Sequence, residues 1–188
     1  LTGSAGFIGF HVTKALLDRG DEVFGIDSLN EYYDIRLKLG RLRELGINEG
    51  DFDLNQIYKS SDYENFLFQK IDLTDKEGLK NLFTESKFDA VCNLAAQAGV
   101  RYSLENPQSY IDSNITGFMN ILECCRDSDV LNLSYASSSS VYGLNQSYPF
   151  SVNDHTDHPI SIYTATKKSN ELMAHTYSHL FNLNTTGL

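Results

Sequence analysis

Three glycines at a three-residue spacing, Gly3, Gly6 and Gly9, open the chain in the stretch LTGSAGFIGFH. Glycine inside a helix or strand costs about 0.5–1 kcal/mol relative to alanine, so three glycines in seven residues need a structural reason. A turn without side chains, between a strand and a helix, lets backbone N–H groups at the helix N-terminus approach a phosphate. The spacing therefore predicts a strand–turn–helix unit for the pyrophosphate of a dinucleotide, with Phe7 and Ile8 in the first helical turn.

The rest of the chain alternates short apolar runs with helical patterns. We expect strands at 21–27, 66–73, 88–96 and 131–143 and helices at 7–20, 75–86, 113–127 and 163–181. In the first helix, Gly20 is the predicted C-cap, and the apolar residues at helical spacing are Ile8, Val12, Ala15 and Leu16. The alternation predicts an α/β fold, a Rossmann-type doubly wound parallel sheet with helices on both faces.

Residues 40–65 interrupt the alternation because they are polar and longer than a usual connection. We expect an insertion there that is helical at its start. Only Leu1 and Thr2 precede the glycines, and residues 184–188 begin a new apolar run. The chain is therefore expected to be one dinucleotide-binding domain, residues 1–188, truncated at both ends and lacking a C-terminal substrate-binding part.

The composition narrows the classes of partner. A net charge of −10 argues against a nucleic-acid surface, which would need clustered Lys and Arg. Any anionic ligand must then be held by local backbone dipoles and a few cations. No run reaches the roughly 18–20 apolar residues of a membrane span, so no membrane partner is expected. The three cysteines lack a C-x-x-C spacing, which makes a reduced, cytoplasmic setting the default expectation.

An acidic residue at the end of the expected strand 21–27 indicates which dinucleotide is bound. Asp27 lies 24 positions after Gly3. A carboxylate there accepts hydrogen bonds from the adenosine ribose hydroxyls and repels a 2′-phosphate. A tight turn and a loop cap would explain the glycines and Asp27 separately, but together they favour NAD. Asp72, near the end of the expected strand 66–73, is explained either by a contact with the adenine edge or by a helix cap.

A tyrosine and a lysine four residues apart form a second constellation. Tyr163 and Lys167 share one face of the last expected helix. A serine run, 137–140, follows an expected strand at the edge of the sheet where open α/β folds bind ligands. Tyrosine, with an ordinary pKa near 10, becomes a useful base only where nearby positive charges favour the phenolate. A lysine one turn away supplies such a charge, and a serine hydroxyl can shuttle the substrate proton.

Together these motifs resemble the extended short-chain dehydrogenase/reductase family. The resemblance covers essentially the whole chain and accounts for the T-G-x-x-G-x-x-G spacing. It rests also on NLAAQ (93–97), DSNITG (112–117), SSSSVYG (137–143) and the Y-x-x-x-K pair. Within that family, the stretches GIDSLNEYYDIRLK, NLAAQAGVRYSLENP and HPISIYTATKKSNELMAHTYSHLF look most like the UDP-glucuronate 4-epimerases.

The resemblance implies a role for each matching residue. Tyr163 is the implied catalytic base, Lys167 its partner and a ligand of the nicotinamide ribose, and Ser138 the catalytic serine. The implied NAD-binding residues are Gly3, Gly6, Phe7, Ile8, Gly9, Asp27, Asn30, Asp72, Leu73, Leu94, Ala95, Ala96, Asn114, Tyr163 and Lys167. The implied reaction is epimerisation at C4 of a UDP-sugar, UDP-glucuronate to UDP-galacturonate, through a transient 4-keto intermediate.

The expected substrate contacts are Arg101, Ser103, Ser138, Ser139 and Ser140. Related sugar 4,6-dehydratases carry an Asp-Glu pair where Ser139 and Ser140 stand, so water elimination lacks an evident catalyst here. For Arg101, a surface ion pair is an equal alternative. A UDP-glucuronate decarboxylase, another UDP-sugar epimerase or dehydratase, and a non-catalytic dinucleotide-binding protein remain alternatives.

Two further expectations concern partners and metals. The resemblance implies a homodimer in which helices near 105–127 and 161–181 pair with their copies in a four-helix interface. Glu171, His175 and His179 share a helix face, but no H-E-x-x-H motif or other ligand cluster accompanies them. We expect that face to be solvated or dimer-facing, with no metal.

Overall fold

A computed structural model of the protein describes residues 1–48 and 50–188. The helices are α1 (Phe7–Arg19), α2 (Ile35–Glu44), α3 (Lys76–Glu85), α4 (Pro107–Tyr110), α5 (Gly117–Asp127) and α6 (Ile162–Phe181). A π-helical turn, Ile111–Thr116, joins α4 to α5, and 3-10 turns cover Arg101–Leu104 and Ser139–Tyr142. The strands are β1 (Val23–Asp27), β2 (Ile57–Lys59), β3 (Phe66–Lys70), β4 (Ala90–Asn93), β5 (Asn132–Tyr135) and β6 (Asn184–Gly187).

The strands form two three-stranded sheets, which Thr2 joins at the centre. The strand orders are β1–β3–β2 and β4–β5–β6, and all pairings are parallel except that of β2 with β3. Thr2 makes parallel bridges to both Ile26 and Asn93, so the first residues stand between β1 and β4. The chain therefore winds outward in both directions from residues 1–2. This confirms the predicted doubly wound sheet and places its switch point beside the glycine turn.

Two apolar clusters hold the helices against the sheet. One contains Leu17 of α1 and Leu42 of α2, packed with Phe66 and Phe68 of β3. The other contains residues of α3, α5 and α6 packed with strand residues; its members include Leu79, Phe118, Ile121, Leu133 and Ala174. Because the helices divide between two clusters, both sides of the sheet are covered, as the strand–helix alternation predicts.

The apolar residues at helical spacing in α1 do not form its buried face. Ile8 is 61% exposed, whereas Gly9, Thr13 and Leu17 are buried. The cause is a backbone contact, since a Cβ atom on Gly9 would lie 2.0 Å from the carbonyl oxygen of Gly3. This close approach sets the rotation of the helix. The predicted C-cap is confirmed, because Gly20 is left-handed and its N–H donates to the carbonyls of Leu16 and Leu17.

Several other boundaries differ from the expectations. The strand expected over 131–143 ends at Tyr135, because the serines that follow turn into the 3-10 segment and Ser138 Oγ accepts a hydrogen bond from Ser140 N. The insertion expected at 40–65 contains the end of α2 and the short strand β2, which pairs antiparallel at the sheet edge. Among the residues described, no helix is both long and apolar enough to span a bilayer.

Candidate active site

The glycine turn brings two loops together at the centre of the sheet. Gly3 has a φ of +72°, and a Cβ atom there would lie 2.9 Å from the backbone nitrogen of Ala95. Gly6 precedes α1, and its N–H donates to Gly3 O at 2.9 Å. The first turn of α1 contains no acidic residue, and Gly6 supplies no side-chain cap. The N–H groups of that turn therefore point to where an anion would be stabilised by the helix dipole.

Thr2 links the glycine turn to the loop after β4. Its hydroxyl donates to Asn93 Oδ1 at 2.7 Å and accepts from Ala95 N at 3.0 Å. Thr2 and Asn93 are both buried. The link places Leu94, Ala95 and Ala96 at the same edge as the glycines. Sequence reasoning did not identify Thr2 and Asn93 as residues that form the site. The available signal was that they begin the T-G and N-L-A-A motifs.

Asp27 lies at the carboxyl end of β1 and is buried. Its Oδ1 accepts from Leu29 N at 2.9 Å and from Lys38 Nζ at 3.1 Å. Lys38 Nζ also donates to Asn30 Oδ1 at 3.2 Å, so these two predicted NAD-binding residues share one lysine. Lys38 comes from α2 and was not among the expected site residues.

Asp72 and Leu73 follow β3 at the same edge of the sheet. Asp72 is exposed, and its Oδ1 accepts from the backbone nitrogen and hydroxyl of Thr74 at 2.9 and 2.7 Å. The residue that caps α3 is Asp75, so the helix-cap alternative for Asp72 is wrong. Leu73 O accepts from Asn120 Nδ2 at 2.8 Å. The adenine contact of Asp72 stays a prediction.

Ser138 and Tyr163 line one cavity of about 300 Å³. Ser139 and Ser140 line it too, together with Val100, Gly143, Phe150, Ile160 and Thr164. Tyr163 lies in the first turn of α6, whose N-cap Ser161 accepts from Thr164 N at 3.0 Å. The structure thus brings the predicted serine and tyrosine to one concave site from elements 25 residues apart in the chain.

The Ser138 hydroxyl has a defined role in the local hydrogen bonding. Its oxygen accepts from Ser140 N at 3.2 Å and from Ser140 Oγ at 2.9 Å. With both acceptor positions used, the Ser138 proton remains available for donation to a ligand in the cavity. A serine oriented in this way acts as a hydrogen-bond donor toward a substrate oxygen.

Lys167 is buried one turn after Tyr163. Its Nζ donates to Ala136 O at 3.0 Å, just past the end of β5. Burial lowers the pKa of Lys167 from its ordinary value of 10.5 to about 8. Because that pKa still lies above 7, most of the lysine is charged at neutral pH, and the charge stays on the Tyr163 side of the helix.

Two residues that sequence reasoning did not single out pack around Tyr163 and Asn114. The centres of the Tyr110 and Tyr163 rings lie 6.1 Å apart in an edge-on contact. The Tyr110 hydroxyl donates to Ala98 O at 2.9 Å. Asn114 accepts from Gln97 N at 2.8 Å and donates to Gln97 O and to Thr166 Oγ1, both at 3.1 Å. Asn114 therefore ties the loop after β4 to α6.

The remaining predicted residues lie outside this cavity. Arg101 is exposed in a 3-10 turn, and Ser103 is buried with its hydroxyl donating to Val100 O at 2.6 Å. Their substrate contacts stay predictions. Glu171 accepts from Ser137 Oγ at 2.6 Å and pairs with Lys168 at 2.9 Å. Within the described ranges, no group of three or more His, Cys, Asp or Glu residues is placed to hold a metal ion.

A doubly wound sheet with a glycine turn at its switch point defines the class of Rossmann-type dinucleotide-binding domains. The chain belongs to the GDP-mannose 4,6 dehydratase family, whose model matches residues 1–187. This finding agrees with the resemblance to the short-chain dehydrogenase/reductases and their nucleotide-sugar epimerase and dehydratase members.

Two individual relatives illustrate the similarity. The chain is 56% identical to Protein CapI of Staphylococcus aureus over 188 residues, covering all of this chain and 52% of the relative. It is 48% identical to UDP-glucuronate 4-epimerase 4 of Arabidopsis thaliana over 189 residues, covering all of this chain and 40% of that protein. The chain therefore spans about half the length, or less, of these curated relatives.

A solved structure shows the same fold. It is that of UDP-glucuronic acid 4-epimerase from Bacillus cereus in complex with UDP-glucuronic acid and NAD. It superposes with a TM-score of 0.82 at 31% identity, covering 99% of this chain and 54% of the other. The similarity thus extends over nearly all of the present chain and over half of the solved one.

Proposed function

We propose that residues 1–188 form the NAD-binding domain of an NAD-dependent UDP-sugar 4-epimerase. The observation that carries the proposal is the convergence of Ser138 and Tyr163 on one cavity, with the buried Lys167 ammonium one helical turn away. A protein that only binds a dinucleotide has no use for this set. UDP-sugar epimerases among the relatives and structural neighbours support the same activity.

NAD fits the residues at the carboxyl edge of the sheet. The first turn of α1, after Gly6, offers backbone N–H groups to the pyrophosphate, and the Gly3–Ala95 contact keeps side chains out of the way. Asp27 and Asn30 would receive the adenosine ribose, and Asn114 and Lys167 would lie near the nicotinamide and its ribose. The chemistry that NAD supplies when bound is reversible hydride transfer, which leaves no net redox change after a full cycle.

The chain's own residues handle the proton of the sugar. Tyr163, as phenolate, accepts the proton of the C4 hydroxyl when C4 is oxidised, and returns it when the 4-keto sugar is reduced on its other face. Ser138 donates its hydroxyl to O4 and shuttles the same proton. The bond from Lys167 Nζ to Ala136 O holds the ammonium one helical turn after Tyr163, on the same face of α6.

We further propose UDP-glucuronate and UDP-galacturonate as the substrate pair. The local resemblance and the named relatives support this choice, and Ser139 and Ser140 offer hydroxyls in the cavity where a dehydratase would carry an acid and a base. A 4-keto-glucuronate is a β-keto acid that loses carbon dioxide readily. The site must therefore hold the carboxylate near the sugar plane, where the breaking C–C bond overlaps poorly with the carbonyl π system.

One incubation tests the activity and the substrate together. The full-length enzyme that contains this domain is mixed with UDP-glucuronate, and the sugar is followed by NMR. UDP-galacturonate without pentose supports the proposal. A UDP-pentose product would instead favour a decarboxylase, and no conversion of UDP-glucuronate would favour an epimerase for a different UDP-sugar.

We also propose a homodimer formed through α5, α6 and the π-helical turn between α4 and α5. A groove between that turn and α6 is lined by Ile111, Ile115, Ile162, Ala165, Thr166, Ser169, Leu172 and Met173. Leu172 projects from it at 59% exposure, and Met119 and Leu180 extend the same apolar face along the helices. A ridge beside a groove suits two-fold pairing with a second copy.

We place this enzyme in the cytoplasm, consistent with its three free cysteine thiols.

A further inference from the structure

A buried lysine contacts Asp27, the aspartate that the proposed function assigns to the adenosine ribose. The Lys38 and Asp27 side chains are only 10% and 6% exposed, and Nζ lies 3.1 Å from Oδ1. Leu29 N also donates to Oδ1, and Asn30 Oδ1 accepts from the same Nζ. Among the described residues, every contact of the Asp27 carboxylate uses Oδ1, so Oδ2 is the atom left to accept from a ligand.

The pair changes the charge that a ligand meets at this site. An isolated carboxylate at the end of β1 would repel a 2′-phosphate strongly, but here a cation lies within hydrogen-bond distance of it. Buried charges act on each other in a medium of low effective dielectric, so the lysine offsets much of that repulsion. The lysine also occupies a position from which it can donate to a phosphate oxygen if the carboxylate is removed.

We infer that Lys38 determines how strictly the Asp27 site distinguishes NAD from NADP. This inference rests on the proposed binding of NAD by the chain. Asp27 Oδ2 selects the ribose hydroxyls of NAD, while Lys38 orients Oδ1 and attracts any 2′-phosphate. The site therefore contains both a selective acceptor and a phosphate-binding cation, and Lys38 is a specificity-determining residue.

A second cation nearby has a different role. Arg41, one turn further along α2, donates from Nη1 to Ala5 O at 3.2 Å, and its guanidinium lies 5.9 Å from the centre of the Phe7 ring. These contacts hold Arg41 against the glycine turn. Lys38, in contrast, contacts Asp27 itself, so it is the cation whose removal should change the preference between the two cofactors.

Calorimetry with the full-length protein that contains this domain tests the inference at pH 8, where a 2′-phosphate is ionised. The ratio of the NADP and NAD dissociation constants is measured for the wild type, Asp27→Asn, Lys38→Met and the double variant. We expect the wild type to prefer NAD and Asp27→Asn to bind NADP relatively more tightly. Lys38→Met should raise the ratio about tenfold in both backgrounds, because close charge pairs contribute at least that much.

Two further variants make the result decisive. Arg43→Met removes an exposed cation from the same helix and should leave the ratio unchanged. Lys38→Arg keeps the charge and should keep a ratio near that of the wild type. If Lys38→Met weakens NAD and NADP equally, the lysine is only structural and the inference is wrong. If Asp27→Asn does not fold, the ratios for the wild type, Lys38→Met and Lys38→Arg still test the inference. A wild type that binds no NAD would contradict the proposed function rather than the inference.

Discussion

The buried ammonium of Lys167 donates a 3.0 Å hydrogen bond to the carbonyl oxygen of Ala136, two residues before Ser138. One side chain thereby connects the helix that carries Tyr163 to the strand end that carries the serine. The two catalytic candidates are held relative to each other through the backbone of β5 and the lysine of α6. A precise geometry of this kind is what general acid–base catalysis requires.

Replacement of Tyr163 by phenylalanine should abolish turnover in the full-length enzyme. The ring and its edge-on contact with Tyr110 are kept, but the proton acceptor is lost, so we expect a decrease in kcat of at least about 10³-fold with NAD affinity preserved. The matched control is Tyr63→Phe, which removes a hydroxyl bound to Lys14 away from the cavity. Retention of more than about a tenth of the rate would exclude Tyr163 as the base.

The depressed pKa of Lys167 predicts a stability that increases with pH. In the unfolded chain the lysine has an ordinary pKa of 10.5, and in the folded chain burial lowers it to about 8. Between these values the unfolded state binds more protons, so the free energy of unfolding rises with pH. The gain should reach about 3 kcal/mol by pH 10.5 relative to pH 7.

Denaturant unfolding of the wild type and of Lys167→Met at several pH values isolates this contribution. Other titrating groups are present in both proteins, so the difference between the two curves reports on Lys167. The wild type should gain stability over the variant between pH 8 and 10.5. Parallel curves across that window would mean that the buried lysine titrates normally.

Two glycine substitutions should have opposite effects. Gly9→Ala places a Cβ atom 2.0 Å from Gly3 O and should destabilise the fold by about 3 kcal/mol, with a loss of NAD affinity as the turn deforms. Gly40→Ala lies inside α2 with no atom within 4 Å of the added Cβ and should stabilise it by roughly 0.5–1 kcal/mol. Urea unfolding of both variants provides the measurement, and equal midpoints would refute the close-packing account of Gly9.

A charge on the apolar face of α6 should disrupt the proposed dimer. Leu172→Glu introduces a carboxylate beside the groove, whereas Leu54→Glu introduces one at a similarly exposed position outside these helices. Sedimentation at micromolar concentration should show dimers for the wild type and Leu54→Glu and monomers for Leu172→Glu. A wild type that sediments as a monomer would contradict the dimer itself.

Much of the fold follows from local sequence signals. Apolar runs and helical spacing predicted the strands β1, β3, β4 and β5, the helices α1, α3, α5 and α6, and the doubly wound class, because strand–helix alternation has few compact solutions. The G-x-x-G-x-x-G turn and the Tyr163–Lys167 spacing also identified the candidate site. These features depend on residues that are close in the chain, where backbone geometry alone sets which side chains share a face.

Other features required the tertiary structure. The buried face of α1 is decided by the approach of Gly9 to Gly3, and periodicity could not show this because glycine contributes no apolar side chain. The end of β5 at Tyr135 depends on hydrogen bonds among the serines that follow it. In each case a contact of a few ångströms overrode the average preference of the residues concerned.

The same contrast applies to the site, between the identity of its residues and their hydrogen-bond partners. The amino-acid sequence identified the residues proposed to carry the chemistry, because Asp27, Ser138, Tyr163 and Lys167 lie in recognisable local motifs. Only the tertiary structure decided that Thr2 binds Asn93, that Lys38 pairs with Asp27 and that Lys167 reaches Ala136. Such pairs join separate elements, and their partners are selected by burial, because a polar group removed from water must find whichever partner the packing brings within reach.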